Sequence, residues 1–213
     1  MKVIIFGVQQ LSELAYYCLT HDSPDEVVAF TVNQDFINND KLYGLPVVPF
    51  ETLEEIYPPD QYRMLIPLGS RDANKFRADR YHQAKEKGYQ FISYVSTKAH
   101  IWPDLSMGEN CMIYEGAIVQ PFAKIGDNVI IRSGSHISHH CKIGDHCFIA
   151  ARAALAGAVT IGGYSFIGVN ATIRDDINIA KGNFIGAGSV VVKNTEEDSL
   201  YMGVPAKRIK ENK

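Results

Sequence analysis

From Ile101 onward an aliphatic residue recurs at every sixth position, and fifteen consecutive hexads keep the pattern without insertion or deletion. They read IWPDLS, MGENCM, IYEGAI, VQPFAK, IGDNVI, IRSGSH, ISHHCK, IGDHCF, IAARAA, LAGAVT, IGGYSF, IGVNAT, IRDDIN, IAKGNF and IGAGSV, with Val191 opening the next. The first place is always Ile, Leu, Val or Met. The fifth is mostly small, as at Cys111, Ala117, Ser135, Cys141, Cys147 and Ala153, and the second is often glycine. One large and one small inward residue per six predicts a parallel β-helix in which each hexad supplies a short strand and a corner. Three hexads close a triangular coil, so residues eighteen apart stack at a strand spacing of about 4.8 Å. The period leaves the hand of the winding open.

The first part of the chain follows another rhythm. "KVIIFG" reads as a buried strand, "SELAYYCL" carries apolar residues at helical spacing, and "EVVAFTV" reads as a second strand. "PVVPF", a short helix in "ETLEEIYPP", "MLIPLG", a charged helical stretch from Asp72 to Lys87 and the strand "QFISYVS" continue the alternation. Strand–helix alternation of this kind predicts a small Rossmann-like α/β domain with a parallel sheet over residues 1–97. The β-helix and its tail then take residues 98–213.

Composition narrows the class. The chain has 213 residues, 46% of them hydrophobic and 21% charged, as expected of a globular protein. A net charge of −3 and the lack of a Lys/Arg run argue against a nucleic-acid partner. No run is long enough for a signal peptide or a membrane span, so a cytoplasmic protein without a membrane partner is expected. Cys18, Cys111, Cys141 and Cys147 show no CxxC spacing and are expected as free thiols.

"SHISHHC", residues Ser135 to Cys141, holds the candidate chemistry. In the hexad frame Cys141 and Cys147 point inward on successive faces, away from the outward histidines, so no metal site is expected. His136 and His146 are expected as solvated corner residues. His139 falls at an outward corner, and eighteen residues on lies Gly157, a backbone with no side chain in the way. A base of near-neutral pKa beside an unobstructed N–H suits acyl transfer. A solvated turn histidine is the plain alternative. Inward thiols are poor nucleophiles, because burial raises their pKa and blocks access.

The hexads, together with "GVPAK" at Gly203 to Lys207, resemble the hexapeptide-repeat acyltransferases. The N-terminal βαβ region and "SHHCKIGD" narrow the resemblance to the sialic acid O-acetyltransferases and the nucleotide-linked aminosugar N-acetyltransferases. The resemblance implies a left-handed β-helix, a homotrimer, and acetyl-CoA as cosubstrate without a metal. It implies His139 as general base and the Gly157 N–H as donor to the thioester carbonyl. It places CoA along Gly157, Gly186, Ala187 and Gly188 between two subunits. Gly203, Pro205 and Lys207 then close over its nucleotide end, and Lys207 and Arg208 are candidates to meet its phosphates. The acceptor, a sugar or sugar nucleotide, is expected on the N-terminal domain at Gly7, Gln9 and Asn33. Two positions depart from the family pattern. His140 stands where an acidic partner of the base is usual, and Phe148 where some aminosugar enzymes carry a histidine. Gln9 and Gln10 also replace glycines that usually approach phosphate. The expected activity is N-acetylation of an amino group on a nucleotide-linked sugar for surface glycan synthesis. O-acetylation of a sugar, and a non-catalytic trimeric scaffold, are the alternatives.

Overall fold

The computed structural model describes residues 1–70, 72 and 74–211. The N-terminal part contains β1 (Lys2–Phe6), α1 (Gln10–Asp22), β2 (Glu26–Val32), β3 (Lys41–Leu42), β4 (Leu45–Pro49), α2 (Leu53–Ile56), β5 (Arg63–Leu65), α3 (Lys75–Glu86) and β6 (Gln90–Phe91). Their order across the sheet is β3-β4-β2-β1-β5-β6. All neighbours are parallel except β3, which turns back on β4 through Tyr43 and Gly44, both at positive φ. β1 is buried along Val3–Phe6, as a strand covered on both faces must be. The chain builds outward from β1 through β2 to β4 and then crosses to β5 on the other side. Such a reversal opens a crevice at the carboxyl ends of β1 and β5.

The hexads wind a left-handed parallel β-helix with three faces. The first face begins at Tyr94–Val95 and continues through Met112–Ile113, Ile130–Ile131, Phe148–Ile149, Phe166–Ile167 and Phe184–Ile185. The second runs from His100–Ile101 to Val190–Val191, and the third from Ser106–Met107 to Asn178–Ile179. Each strand is the last residue of one hexad and the first of the next. The first place points inward, as Ile113, Ile131, Ile149 and Ile167 show, all fully buried. The fifth place closes the corner. There Ser135 Oγ donates to Ala150 O at 3.0 Å, and the Cys141 and Cys147 thiols donate to Ala156 O and Gly162 O, each at 3.2 Å. A small polar side chain in this place therefore finds its partner in the next coil.

The fourth place of every hexad from Asn110 to Gly188 has positive φ, including His140 (61°), His146 (62°) and Arg152 (60°). Left-handed backbone is costly for residues other than glycine. Here it recurs because the corner amide can then bond to the coil below, as in His146 N–H to Asp127 O at 2.8 Å and Ala158 N–H to His139 O at 3.0 Å.

The N-terminal domain covers the first face. Tyr94, Met112, Ile130 and Phe148, in the outward sixth place, are buried with Val3, Ile5, Ala15, Leu19 and Leu65. At the far end of α1, Asp22 accepts bonds from Tyr94 Oη (2.8 Å), Ser96 Oγ (2.9 Å), Thr97 N–H (3.0 Å) and the Thr97 hydroxyl. "QFISYVS" is not one strand. Gln90–Phe91 pairs with β5 and Tyr94–Val95 pairs with Met112–Ile113, so the chain changes sheets at Ile92–Ser93. Ser93 Oγ helps make the change by accepting the Cys111 N–H at 2.9 Å and donating to Gly108 O at 3.2 Å. The first coil thus starts just before residue 98. After the last hexad a hairpin caps the first face: Ser199–Gly203 pairs parallel to Phe184–Ile185, and Ala206–Glu211 returns antiparallel along it. Among the described residues no helix is long and apolar enough to cross a membrane.

Candidate active site

His139 and Gly157 occupy neighbouring coils at the corner between the second and third faces. The imidazole lies against the glycine: a Cβ at position 157 would sit 2.7 Å from His139 Cε1 and 2.9 Å from Nε2. No larger residue fits without moving the ring. The His139 backbone is held from both sides, its N–H donating to Gln120 Oε1 at 2.9 Å and its carbonyl accepting the Ala158 N–H at 3.0 Å. The Gly157 carbonyl is used by the Asp176 N–H, whereas its own N–H makes no backbone bond within the described residues. His139 Nδ1 lies 3.2 Å from His140 Nδ1, so the two rings share one proton-mediated contact. His140 in turn packs against Phe122, centroid to centroid 4.8 Å. Both histidines are exposed. A shallow cavity opens beside them on the third face, lined by Asp104, Ser106, Phe122, Lys124, His140 and Lys142 among others.

The other expected residues fall into two groups. Gly186, Ala187 and Gly188 lie at the corner between the first and second faces, the opposite edge of the second face from Gly157. Gly186 is tight, since a Cβ there would meet Met202 Cγ at 2.7 Å, whereas Gly188 opens onto free space. Gly203 and Pro205 form the tight end of the terminal hairpin, with the Gly203 N–H donating to Ser189 Oγ at 3.2 Å. Lys207 is exposed, while Arg208 is engaged with Ser199 Oγ (3.0 Å) and Glu196 (2.6 Å).

Gly7, Gln9 and Asn33 gather at the carboxyl ends of β1 and β2. Gly7 (φ 103°) allows Ser12 to tuck under the turn, and an added Cβ would lie 2.4 Å from Ser12 Oγ, too close for any side chain. Gln9 precedes α1 without a side-chain cap, and its carbonyl accepts the Ser12 and Glu13 N–H at 2.8 and 3.0 Å. The Asn33 amide is already paired, donating to Glu51 Oε1 at 2.8 Å beside the Gln34 N–H on Oε2. The residues of Leu68–Gly69, after β5, were not identifiable from sequence, yet they form the other wall. A Cβ on Gly7 would lie 3.3 Å from Leu68 Cδ2, and one on Gly69 would lie 3.4 Å from Leu11 Cδ1. Strand order decides this, and a single sequence does not print strand order.

His146 is not a solvated corner residue. It is 5% exposed, with Nδ1 2.9 Å from Asn128 Nδ2 and its ring between those of His82 (5.2 Å) and Tyr164 (4.7 Å). Burial, with His82 nearby, pushes its pKa down to about 4. α3 covers this corner, and six-residue spacing carries no sign of that cover. His136 stays half-buried on the second face. Phe148 stacks on Phe166 at 5.5 Å beneath the N-terminal domain, away from the His139 corner. Burial raises the Cys141 thiol and pushes Cys147 up to about 12, which leaves both protonated. Among the described residues no group of three or more His, Cys, Asp or Glu side chains is placed to hold a metal ion.

The family described as bacterial transferase hexapeptide (six repeats) matches residues 104–139 and 122–157. Comparison with curated protein sequences finds no match. Among solved structures, a variant of perosamine N-acetyltransferase from Caulobacter crescentus, in complex with CoA and GDP-perosamine, superposes with a TM-score of 0.90. Its identity to this chain is 25%, over 99% of this chain and 98% of that one. This chain carries the repeat and the fold of the hexapeptide acyltransferases. The same fold, N-terminal domain included, recurs in the acetyltransferase domain of PglB from Neisseria gonorrhoeae (TM-score 0.84, 22% identity, 98% and 99% coverage). It recurs again in WeeI from Acinetobacter baumannii (0.83, 21%, 98% and 100%). Both parts of the chain are thus matched as one unit, at near-full length in each of these structures.

Proposed function

We propose that this protein is an acyltransferase that moves the acetyl group of acetyl-CoA to an amino group on a nucleotide-linked sugar, as a step in surface glycan synthesis. The observation that carries this reading is the His139 imidazole lying on a glycine at an open corner. With Nδ1 engaged by His140, the Nε2 of His139 is left to accept a proton. The acceptor amine attacks the thioester carbonyl, His139 takes the proton from nitrogen, and the Gly157 N–H donates to the developing oxyanion. The carbon–sulfur bond then breaks, and the proton passes to the departing thiolate of CoA. No acyl-enzyme forms. The amino rather than hydroxyl acceptor is favoured by the perosamine N-acetyltransferase, whose complex holds CoA and GDP-perosamine.

CoA would lie between two protomers, its thioester at the Gly157 corner of one and its arm along Gly186–Gly188 of the other, toward the hairpin of Gly203, Pro205 and Lys207. The nucleotide would bind between the Gly7–Gln9 turn and Leu68–Gly69. A second copy of the chain completes the cleft. Trp102, Ile118 and Phe122 are 56%, 37% and 67% exposed on the second face and its corner with the third, beside the two histidines. Large exposed apolar residues grouped in this way mark a contact surface. A closed ring of three would set the second face of one protomer against the third face of the next. Four unpaired cysteines and the need for acetyl-CoA fit a cytoplasmic setting.

Thiol release from acetyl-CoA, followed with a panel of nucleotide-linked aminosugars and sugars, tests the reading. His139→Ala should lower kcat by about 10²–10⁴-fold, the range for a positioned base, with the oligomer intact. Turnover of the variant at the wild-type rate would remove His139 from the mechanism. Turnover only with hydroxyl acceptors would make the enzyme an O-acetyltransferase.

A further inference from the structure

Arg77, on the first turn of α3, is fully buried. Its guanidinium meets oxygen in every direction. Nη1 donates to Leu68 O (3.2 Å), Gly69 O (3.3 Å) and Asn74 Oδ1 (3.1 Å). Nη2 donates to Asn128 O (3.3 Å), His146 O (2.8 Å) and Cys147 O (3.1 Å), and Nε donates to Asn128 Oδ1 (3.2 Å). Among the described residues no carboxylate pairs with it. Burial lowers its pKa to about 10, which still leaves it charged at neutral pH.

A buried charge without a counterion is costly and persists only where its hydrogen bonds are complete. An apolar side chain could have filled the same space between two packed domains. What an apolar side chain cannot do is bond two backbones at once in a fixed geometry, as a planar fork of donors can. Here the two ends of the fork are divided between two parts of the molecule. One holds Leu68 and Gly69, the wall of the crevice opposite Gly7; the other holds carbonyls of two successive coils of the β-helix. Three further bonds run in parallel: Ile66 N–H to Asn110 Oδ1 at 2.8 Å, and Asn74 Nδ2 to Tyr164 O and Ser165 O at 3.2 and 3.1 Å. Ile66, Leu68, Gly69 and Asn74 are thereby tied to one corner of the prism, and Asn110 and Asn128 are themselves joined at 2.8 Å.

We infer that Arg77 is a positioning residue: it fixes the Leu68–Gly69 wall of the nucleotide crevice at one height on the β-helix and so sets the acceptor's reach toward the transfer site. The inference rests on the proposed function in one respect, that the crevice binds the nucleotide of the acceptor. Arg77 touches no reacting atom. It acts through two backbone carbonyls, and its loss would be felt by the acceptor and not by CoA.

The full-length protein carrying Arg77→Lys provides the test. The substitution keeps the charge, but one ammonium cannot span both sets of carbonyls. Binding of UDP, GDP and dTDP, and separately of CoA, is measured by titration calorimetry, alongside KM for acetyl-CoA and for whichever nucleotide-linked aminosugar the wild type turns over. Affinity for the nucleotide that binds wild type should fall at least about tenfold, the scale of a wall displaced by a fraction of an ångström. CoA affinity and the KM for acetyl-CoA should stay within about twofold. Equal losses for nucleotide and CoA, unchanged nucleotide binding, or a wild type that binds none of the three diphosphates would each overturn the inference. Should Arg77→Lys fail to fold, Asn74→Gly serves instead, because it keeps the left-handed backbone while deleting the amide that orients Arg77. Its expected outcome is the same split between nucleotide and CoA. If His139→Ala kept full activity while Arg77→Lys showed the split, the base assignment would fall and the positioning role would stand.

Discussion

His140 and His146 occupy the same place in successive hexads, with φ of 61° and 62°, and yet share nothing else. His140 stands in the open between Phe122 and His139. His146 is enclosed by α3, bonded to Asn128 and held with a pKa near 4. The repeat dictates the backbone of both corners, and what packs outside dictates the chemistry. A corner left bare can host a reaction; the one under α3 holds two domains in register. A repeat protein can therefore carry two unrelated tasks on one motif by covering some of its corners and leaving others open.

Gly157→Ala attacks the bare corner most directly. The new methyl would displace the imidazole lying over it, and kcat should fall about 10²–10³-fold while the melting temperature moves little. A rate within a few-fold of wild type would mean that ring and glycine do not act together. His146→Ala breaks the covered corner instead. It leaves the Asn128 amide unpaired and a cavity beneath α3, for an expected loss of about 2–3 kcal/mol in urea denaturation with kcat little changed.

The two corners should also separate with acid. The folded-state pKa of His146 lies below the ordinary value of 6.5, so between pH 6.5 and 4 the unfolded chain binds a proton that the folded chain refuses. The stabilisation is complete above the unfolded pKa and declines as the pH falls through this window, by at most about 1.4 kcal/mol per pH unit. The facing groups that modulate it are His82, Asp145, Arg77 and Asp127. Denaturation midpoints taken across the window should slope for wild type and flatten in His146→Ala; parallel curves would show that the ring titrates normally. The smallest effect is expected for His140→Ala, where only the partner of His139 Nδ1 is lost. Its kcat should drop by about tenfold, and its stability should change by less than about 0.5 kcal/mol.

Much of this architecture is written in the sequence, and some of it is not. The sixfold period locates every strand of the β-helix because each inward Ile or Leu needs its own place, and it puts His139 one coil below Gly157. A second period runs beside the first. In every third hexad the sixth residue is large and apolar, Met112, Ile130, Phe148, Phe166 and Phe184, while the third face carries Lys124, Lys142 and Asn178 in that place. That contrast announces which face is covered, and it accounts for Phe148 without reference to the acetyl group. Leu68–Gly69 and Arg77 were illegible for a different reason. Their partners lie 51 to 70 residues away across a domain seam, or depend on β5 crossing beside β1, and local pattern reports neither. The cover over His146 escapes the local pattern for the same cause, since solvent exposure belongs to the assembled seam and not to the corner.

The terminal hairpin has a consequence of its own. A stack of coils ends in strands whose amides and carbonyls seek another layer, the geometry by which β-structures grow into fibres. Here Ser199–Gly203 takes up the place of a further rung on the first face, and Ala206–Glu211 then reverses direction along it. A parallel stack cannot continue from an antiparallel strand in the same register, and this outermost strand carries Lys207 and Arg208. The fold thus builds its own full stop, and a prism assembled by simple repetition is kept from polymerising at that edge.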